Sequence, residues 1–253
     1  MAGSALALSG DMEASARELA EGLALRRRIV AADARPSYRL ELASAEETLA
    51  RALLLAGNGP GAAEHARAGV GIAQDLVMND AGDLAAQRQL ARLRVQLGDA
   101  LGKGGDAEGA VAVYHANQQA AARLALSHAD DTLWPALEVT SLLRIATVRT
   151  QQSRPEEQEA AFQAALGIAE RLVSGGRADA QMRRNLVDAR IGLGTVALGR
   201  GEAVTAVTQF RRAVEVADAL VAERPDDVFV RASKAIAEAY LRIAGAGIPA
   251  ATP

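Results

Sequence analysis

The sequence predicts an all-α solenoid of stacked antiparallel helix pairs, and three observations carry that prediction. Half of the residues are hydrophobic but only 3% are aromatic, so any core is built from Ala, Leu, Val and Ile. Ala and Leu are the best helix formers, and the β-branched and aromatic clusters that mark strands are scarce. The second observation is a repeat. "LGDALGKGGDAEGAVAVY" from Leu97 returns as "LGTVALGRGEAVTAVTQF" from Leu193, and halving that interval aligns the copies between. Leu49, Leu97, Ile145, Leu193 and Leu241 fall on one column at a spacing of 48. Tyr114, Phe162 and Phe210 form another, with Ala66 in the first copy; Ala73, Ala121, Ala169 and Ala217 a third; Leu76, Leu124, Leu172 and Leu220 a fourth. The third observation is the step within a copy: Ala206, Phe210, Ala213, Val214, Ala217 and Leu220 advance by threes and fours, which makes one face of a helix.

The elements follow in order. Residues 1–9 are expected to lie outside the fold, and a half unit over 10–34 reads as a second helix lacking the first helix of its pair, with apolar surface left exposed. Units follow at about 35–82, 83–130, 131–178 and 179–226. Their seams carry Asp83, Asp131, Asp179 and Asp227, placed to cap the next helix by accepting from a free backbone N–H. Within each unit the two helices are divided by short polar segments, "KGGD", "QSRP" and "GRGE" in the last three; glycine there can adopt the positive φ that ends a helix. In the third unit Ser153 and Glu156 have capping-box spacing, with Pro155 in the first turn. Residues 227–246 read as a lone capping helix with Arg231, Lys234, Glu238 and Arg242 on its exposed side, and 247–253 as a tail outside the fold.

Several functions are excluded or set aside by the same reading. Gly98 to Lys103, G-D-A-L-G-K, looks like a phosphate-binding loop, but its glycines are four apart, no strand precedes it and no Ser or Thr follows the lysine. It is a helix end and turn. A net charge of −3 provides no global basic field for nucleic acid, and no apolar run is long enough to insert in a membrane. There is no cysteine and no metal-ligand spacing, so no metal or cofactor is expected. His65, His115 and His128 occupy different positions in their units and do not converge on a catalytic centre. Arg26-Arg27-Arg28, Asp130-Asp131 and Glu156-Glu157 read as solvated faces or helix starts, and Trp134 as packing. No enzyme is expected.

The columns resemble the tetratricopeptide repeat (TPR). Leu97-Gly98, Gly105-Asp106, Ala110 and Tyr114 follow its signature in the second unit, and Leu193-Gly194, Gly201-Glu202, Ala206, Phe210 and Ala213 in the fourth. The usual unit is about 34 residues; the additional fourteen here equal two sevens, and seven residues are nearly two helical turns, so each helix lengthens without rotating its buried face. The resemblance implies a right-handed superhelix whose first helices line a groove that binds protein or peptide. Carried over by position, that groove presents Leu40, Ser44, Glu47 and Arg51; Arg88, Arg92, Val95 and Asp99; Ala136, Thr140, Leu143 and Thr147; and Arg184, Asp188, Ile191 and Thr195, with Arg144 beside them. The expected contact residues are Arg51, Arg88, Arg92, Asp99, Arg144, Arg184 and Asp188, facing a guest with acidic residues. The asparagine of carboxylate-clamp TPRs is replaced by Arg51, Asp99, Thr147 and Thr195. Long units of this kind also resemble arrays in bacterial signalling proteins. The implied roles are a scaffold in a signalling or secretion assembly, or a regulatory domain of a serine/threonine kinase acting in cis. The compartment expected is the cytoplasm, or the periplasm if a parent protein crosses a membrane.

Overall fold

The computed structural model describes residues 12–246, and the expectations for residues 1–9 and 247–253 fall outside them. Ten helices follow one another: α1 (Met12–Ala32), α2 (Pro36–Leu55), α3 (Gly59–Asn79), α4 (Leu84–Lys103), α5 (Ala107–Ser127), α6 (Leu133–Gln151), α7 (Pro155–Ser174), α8 (Ala180–Gly199), α9 (Ala203–Glu223) and α10 (Val228–Ala246). No strand occurs among the described residues. Two compact units divide within α5, residues 1–117 and 118–253.

The helix ends show why the 48-residue frame holds. Left-handed backbone recurs at a spacing of 48 between the helices of each pair, at Gly57 (φ 86°), Gly105 (φ 89°), Ser153 (φ 56°) and Gly201 (φ 77°), and occurs once more at Gly176 (φ 68°) between α7 and α8. Three of the four recurring positions are glycine, which reaches this region without a Cβ clash. Ser153 is the exception, and it corrects the capping-box expectation: the residue before α7 is Arg154, no side chain caps that helix, and Pro155 opens it. The seam aspartates do cap, Asp131 excepted. Asp83 accepts from the amides of Ala85 and Ala86, Asp179 from Met182 at 2.7 Å, and Asp227 from Phe229 and Val230. Asp131 departs from the expectation: it accepts from Leu133 at 3.0 Å, but Thr132 is the N-cap of α6 and makes no side-chain capping bond.

In the first unit α1 packs on α2, α2 on α3 and α3 on α4, and α2 also meets α4. Leu23, Leu42 and Leu49 form one buried cluster and Ala43, Ala73, Leu90 and Leu93 another. A charged group is buried as well: Glu46 is held by Arg27 Nη2 and His65 Nδ1, each at 2.8 Å. Burying a carboxylate is tolerable only when it is paired in this way. All three residues of the triple-arginine run are exposed, and Arg27 reaches from it to Glu46.

In the second unit α6 packs on α7, α7 on α8, α8 on α9 and α9 on α10. The even helices again meet one another, α6 with α8 and α8 with α10. Its core is dominated by small residues at close approach, with Ala165, Ala169 and Ala189 fully buried beside Leu172 and Leu186. Trp134 is fully buried at the start of α6.

The aromatic column has a structural reason. A Cβ on Gly98 would lie 2.4 Å from the Tyr114 ring, and one on Gly194 2.4 Å from the Phe210 ring. Each glycine admits the aromatic ring of the second helix in its own pair. The end helices depart from this rule. Adding 48 to Gly194 gives Arg242, and subtracting 48 from Ala66 gives Glu18; both are exposed. Leu25 and Ile29 on α1 are exposed too, at 54% and 49%, so its outward face mixes charge with apolar surface. At α10, Lys234 reaches Asp218 at 2.6 Å and Glu238 at 3.7 Å, while Phe229, Ile236 and Ile243 are exposed. The face of α10 is therefore charged on one side and apolar on another.

Candidate functional site

The even helices carry the stripe identified from the sequence, and the two units use it differently. In the first unit Glu47 on α2 accepts from Gln89 Nε2 at 2.8 Å and faces Arg92 Nε at 3.5 Å on α4. Arg92 also donates to the Gln89 side chain. Stripe charges here pair with each other, so Arg92 is compensated in place. Asp99 accepts from the Tyr114 hydroxyl at 2.5 Å, tying the stripe to the repeat's aromatic column. Arg51 is exposed and Arg88 half-buried.

In the second unit the stripes of α6, α8 and α10 surround an open pocket of about 430 Å³. Thr140, Leu143, Arg144 and Thr147 come from α6, Asp188, Ile191 and Thr195 from α8, and Ile236 and Tyr240 from α10. Phe162 of α7 also reaches it, past Gly192. That contact is specific: a Cβ at Gly192 would lie 2.4 Å from the Phe162 ring. At the equivalent position of the next repeat stands Tyr240, which instead stacks on Phe210 with ring centroids 5.3 Å apart. Glycine at 192 thus admits the Phe162 ring against the α8 backbone, where a larger residue would exclude it.

A polar chain runs along one wall. Arg184 donates to Gln181 Oε1, and Gln181 Nε2 donates to Asn185 Oδ1 at 2.9 Å. Asn185 is only 4% exposed, yet its Nδ2 has no hydrogen-bond partner. Leaving a buried donor unmade costs on the order of 1–3 kcal/mol, and this nitrogen lies beneath the surface of the wall. Arg184 also lies over the Phe229 ring, 5.6 Å from its centroid, and 3.9 Å from Asp227. Asp188 is open to the water of the pocket. The surrounding walls nonetheless disfavour its charge and push its pKa up to about 6, against the pull of Arg184 and Arg144.

Of the expected contact residues, the structure gathers Arg144 and Asp188 at this pocket with Arg184 joined to its wall. Arg51, Arg88, Arg92 and Asp99 belong to the first unit. Gln181, Asn185, Gly192, Ile236 and Tyr240 were not identified from the sequence. Ile236 could have been found by adding 48 to Asp188, which extends the stripe into α10. Gly192 could have been found as the smallest residue in the column of Thr48, Gln96, Arg144 and Tyr240. Nothing in the sequence signals that the Asn185 amide is left without a partner. Among the described residues no group of three or more His, Cys, Asp or Glu could hold a metal ion, and no helix is long and apolar enough to cross a membrane.

The arrangement of consecutive helix pairs with even helices in mutual contact is a TPR-like helical-repeat fold. It is similar to the crystal structure of BtubC (BKLC) from P. vanneervenii, with a TM-score of 0.62 and 16% identity over 96% of this chain and 95% of that one. A crystal structure of TTC0263, a thermophilic TPR protein of Thermus thermophilus, aligns with a TM-score of 0.43 and 18% identity over 94% of this chain and 95% of that one. No protein-family model matches the sequence, and no curated protein matches it. The likeness is one of fold, a helical repeat.

Proposed function

We propose that this protein is a non-catalytic scaffold that binds a protein or peptide along its even helices. The observation that carries the reading is the second-unit pocket, which three successive even helices build from their stripe residues. A site spread over three helices suits an extended guest: neighbouring axes lie about 8–10 Å apart, so α6 to α10 spans roughly 20 Å, about six residues of extended chain. Its side chains offer hydrogen bonds, apolar contact and guanidinium groups, the means by which a groove recognises a chain. The resemblance of the 48-residue repeat to bacterial arrays supports a role in a signalling or secretion assembly, with the cytoplasm as its compartment.

Reversing Arg88, Arg92 and Arg184 to Glu and measuring recovery of the bound partner by pull-down tests the reading. Loss of the partner, with helicity unchanged, is the expected result; undiminished recovery would refute the assignment of the even-helix surface.

A further inference from the structure

We propose that α10 pairs antiparallel with α10 of a second copy of this chain, through an exposed seam of alternating large and small apolar residues. The proposal goes beyond the scaffold reading and does not depend on it.

Phe229, Ile236 and Ile243 stand seven residues apart on α10, with Ala232 and Ala239 between them. That is a heptad seam, with large residues at one of its two core positions and alanine at the other. It faces solvent: Phe229, Ile236 and Ile243 are 70%, 49% and 59% exposed, Ala232 is exposed and Ala239 half-buried. The core takes a different row of the same helix, Val230, Ala237 and Ala244. Ala232, Ile236, Ala239 and Ile243 lie 48 residues beyond Arg184, Asp188, Ile191 and Thr195, so the stripe sheds its charges and turns wholly apolar on this helix. Contiguous exposed apolar surface of this kind marks an interaction site. A further helix stacked in the manner of the array would not cover it. On α8 the residues that meet α9 include Val187, Arg190 and Gly194. Their counterparts on α10 are Ala235, Glu238 and Arg242, which flank the seam on its charged side.

The occupant follows from size. Reversing one of two paired helices brings the first core position of the heptad opposite the second, where knobs of one helix enter holes of the other. Ile236 then meets Ala239 of the second copy and Ile243 meets Ala232, and the symmetric layers repeat the same combination. Every such layer holds one large and one small side chain. A parallel pair would set Ile against Ile and Ala against Ala, crowding one layer and emptying the next, and both defects destabilise. The seam is complementary to itself turned end for end, which is the two-fold, isologous contact that identical chains favour. Its margins bring no like charges together. In this register Arg242 comes beside Ala235 of the second copy and Ser233 beside Tyr240, while Arg231 and Glu238 lie off the seam. Arg184 of α8, 5.6 Å from the centre of the Phe229 ring, has Asp227 beside it at 3.9 Å.

The test is sedimentation velocity of the full chain over a dilution series, with circular dichroism as the check on folding. The chain should sediment at twice its 26.2 kDa mass when concentrated and dissociate on dilution. Ile236→Lys should sediment as a single chain with its helicity unchanged. Ile236→Ala should weaken association by roughly tenfold or more, and adding Ala239→Ile should restore it, because each layer regains one large residue. The direction of pairing is read by disulfide crosslinking, the chain having no cysteine of its own. Ala232→Cys mixed with Ile243→Cys should give a crosslinked pair, and Ala232→Cys alone should not.

A single-chain mass at every concentration, a doubled mass that survives Ile236→Lys, no restoration by Ala239→Ile, or crosslinking of Ala232→Cys to itself would each overturn the proposal. So would a mass that grows past two copies, since a two-fold contact closes on itself. A single chain whose partner is still lost on reversal of Arg88, Arg92 and Arg184 would strike this proposal alone and leave the scaffold reading standing.

Discussion

Ser153 stands where three of the four repeats place glycine, and replacing it with glycine should stabilise the second unit. Its φ of 56° puts an L side chain in the left-handed region, at a cost of about 1–2 kcal/mol. The residue is exposed, so its side chain gains little from packing to offset that cost. Glycine removes the strain but gives the unfolded chain additional freedom worth roughly 0.5–1 kcal/mol. The net expectation for Ser153→Gly is a gain of about 0–1.5 kcal/mol, centred near 0.75 kcal/mol. At about 2–4 °C per kcal/mol for a chain of this size, the melting temperature should rise by ~1.5–3 °C at that centre. The reverse change, Gly201→Ser (φ 77°), should lower stability by a comparable amount in the same unit. The assay is intrinsic fluorescence during urea or thermal unfolding. Trp134 is the only tryptophan, and it is fully buried in α6, the helix that Ser153 follows. A local reporter matters because repeat units need not unfold together. A destabilised Ser153→Gly, or an indifferent Gly201→Ser, would refute the account of the left-handed column.

Other predictions follow from the glycines and from Asp188. Gly194→Ala places a Cβ 2.4 Å from the Phe210 ring, an overpacking cost of about 1–3 kcal/mol against a helix-propensity gain of about 1 kcal/mol. Denaturant unfolding should show a net loss near 1 kcal/mol, partly relieved when Phe210→Leu is added in a double-mutant cycle. Gly71→Ala, where an added Cβ meets nothing within 4 Å, should instead raise stability by up to about 1 kcal/mol. Asp188 has its pKa raised from 3.8 to about 6, so the folded state binds the additional proton between roughly pH 4 and 6. Its contribution to stability is fully present below about pH 4 and is lost as pH rises through 6. Asp188→Asn should therefore match the wild type below pH 4 and exceed it above pH 6. Water in the open pocket limits the difference to about 1 kcal/mol, which stability measured across pH 3–8 would detect.

The repeat and its helices were legible because burial recurs every 48 residues. Ala73, Ala121, Ala169 and Ala217 are all buried, and their column needed only counting. Turns were legible where glycine marked them, at Gly105 and Gly201. They were misread at Ser153, where capping-box spacing suggested a bond that a left-handed backbone precludes. The stripe was legible as a set of positions but not as a site. Whether Arg92 meets a guest or Glu47 depends on the rotamers of two long side chains across α2 and α4, which residue spacing does not encode. The pocket depends on how the stripes of α6, α8 and α10 come together and on the Phe162 ring packing against Gly192. Neither leaves a periodic trace.

The most direct measurement is site-specific photo-crosslinking of the full chain with its partner. A photoreactive residue is placed at Ser44, Thr140 or Thr147 on the even-helix stripe, and at Glu64 or Arg211 on odd helices. The account predicts partner crosslinks from the stripe positions and none from α3 or α9. Crosslinks from Glu64 and Arg211, with Ser44, Thr140 and Thr147 silent, would contradict it.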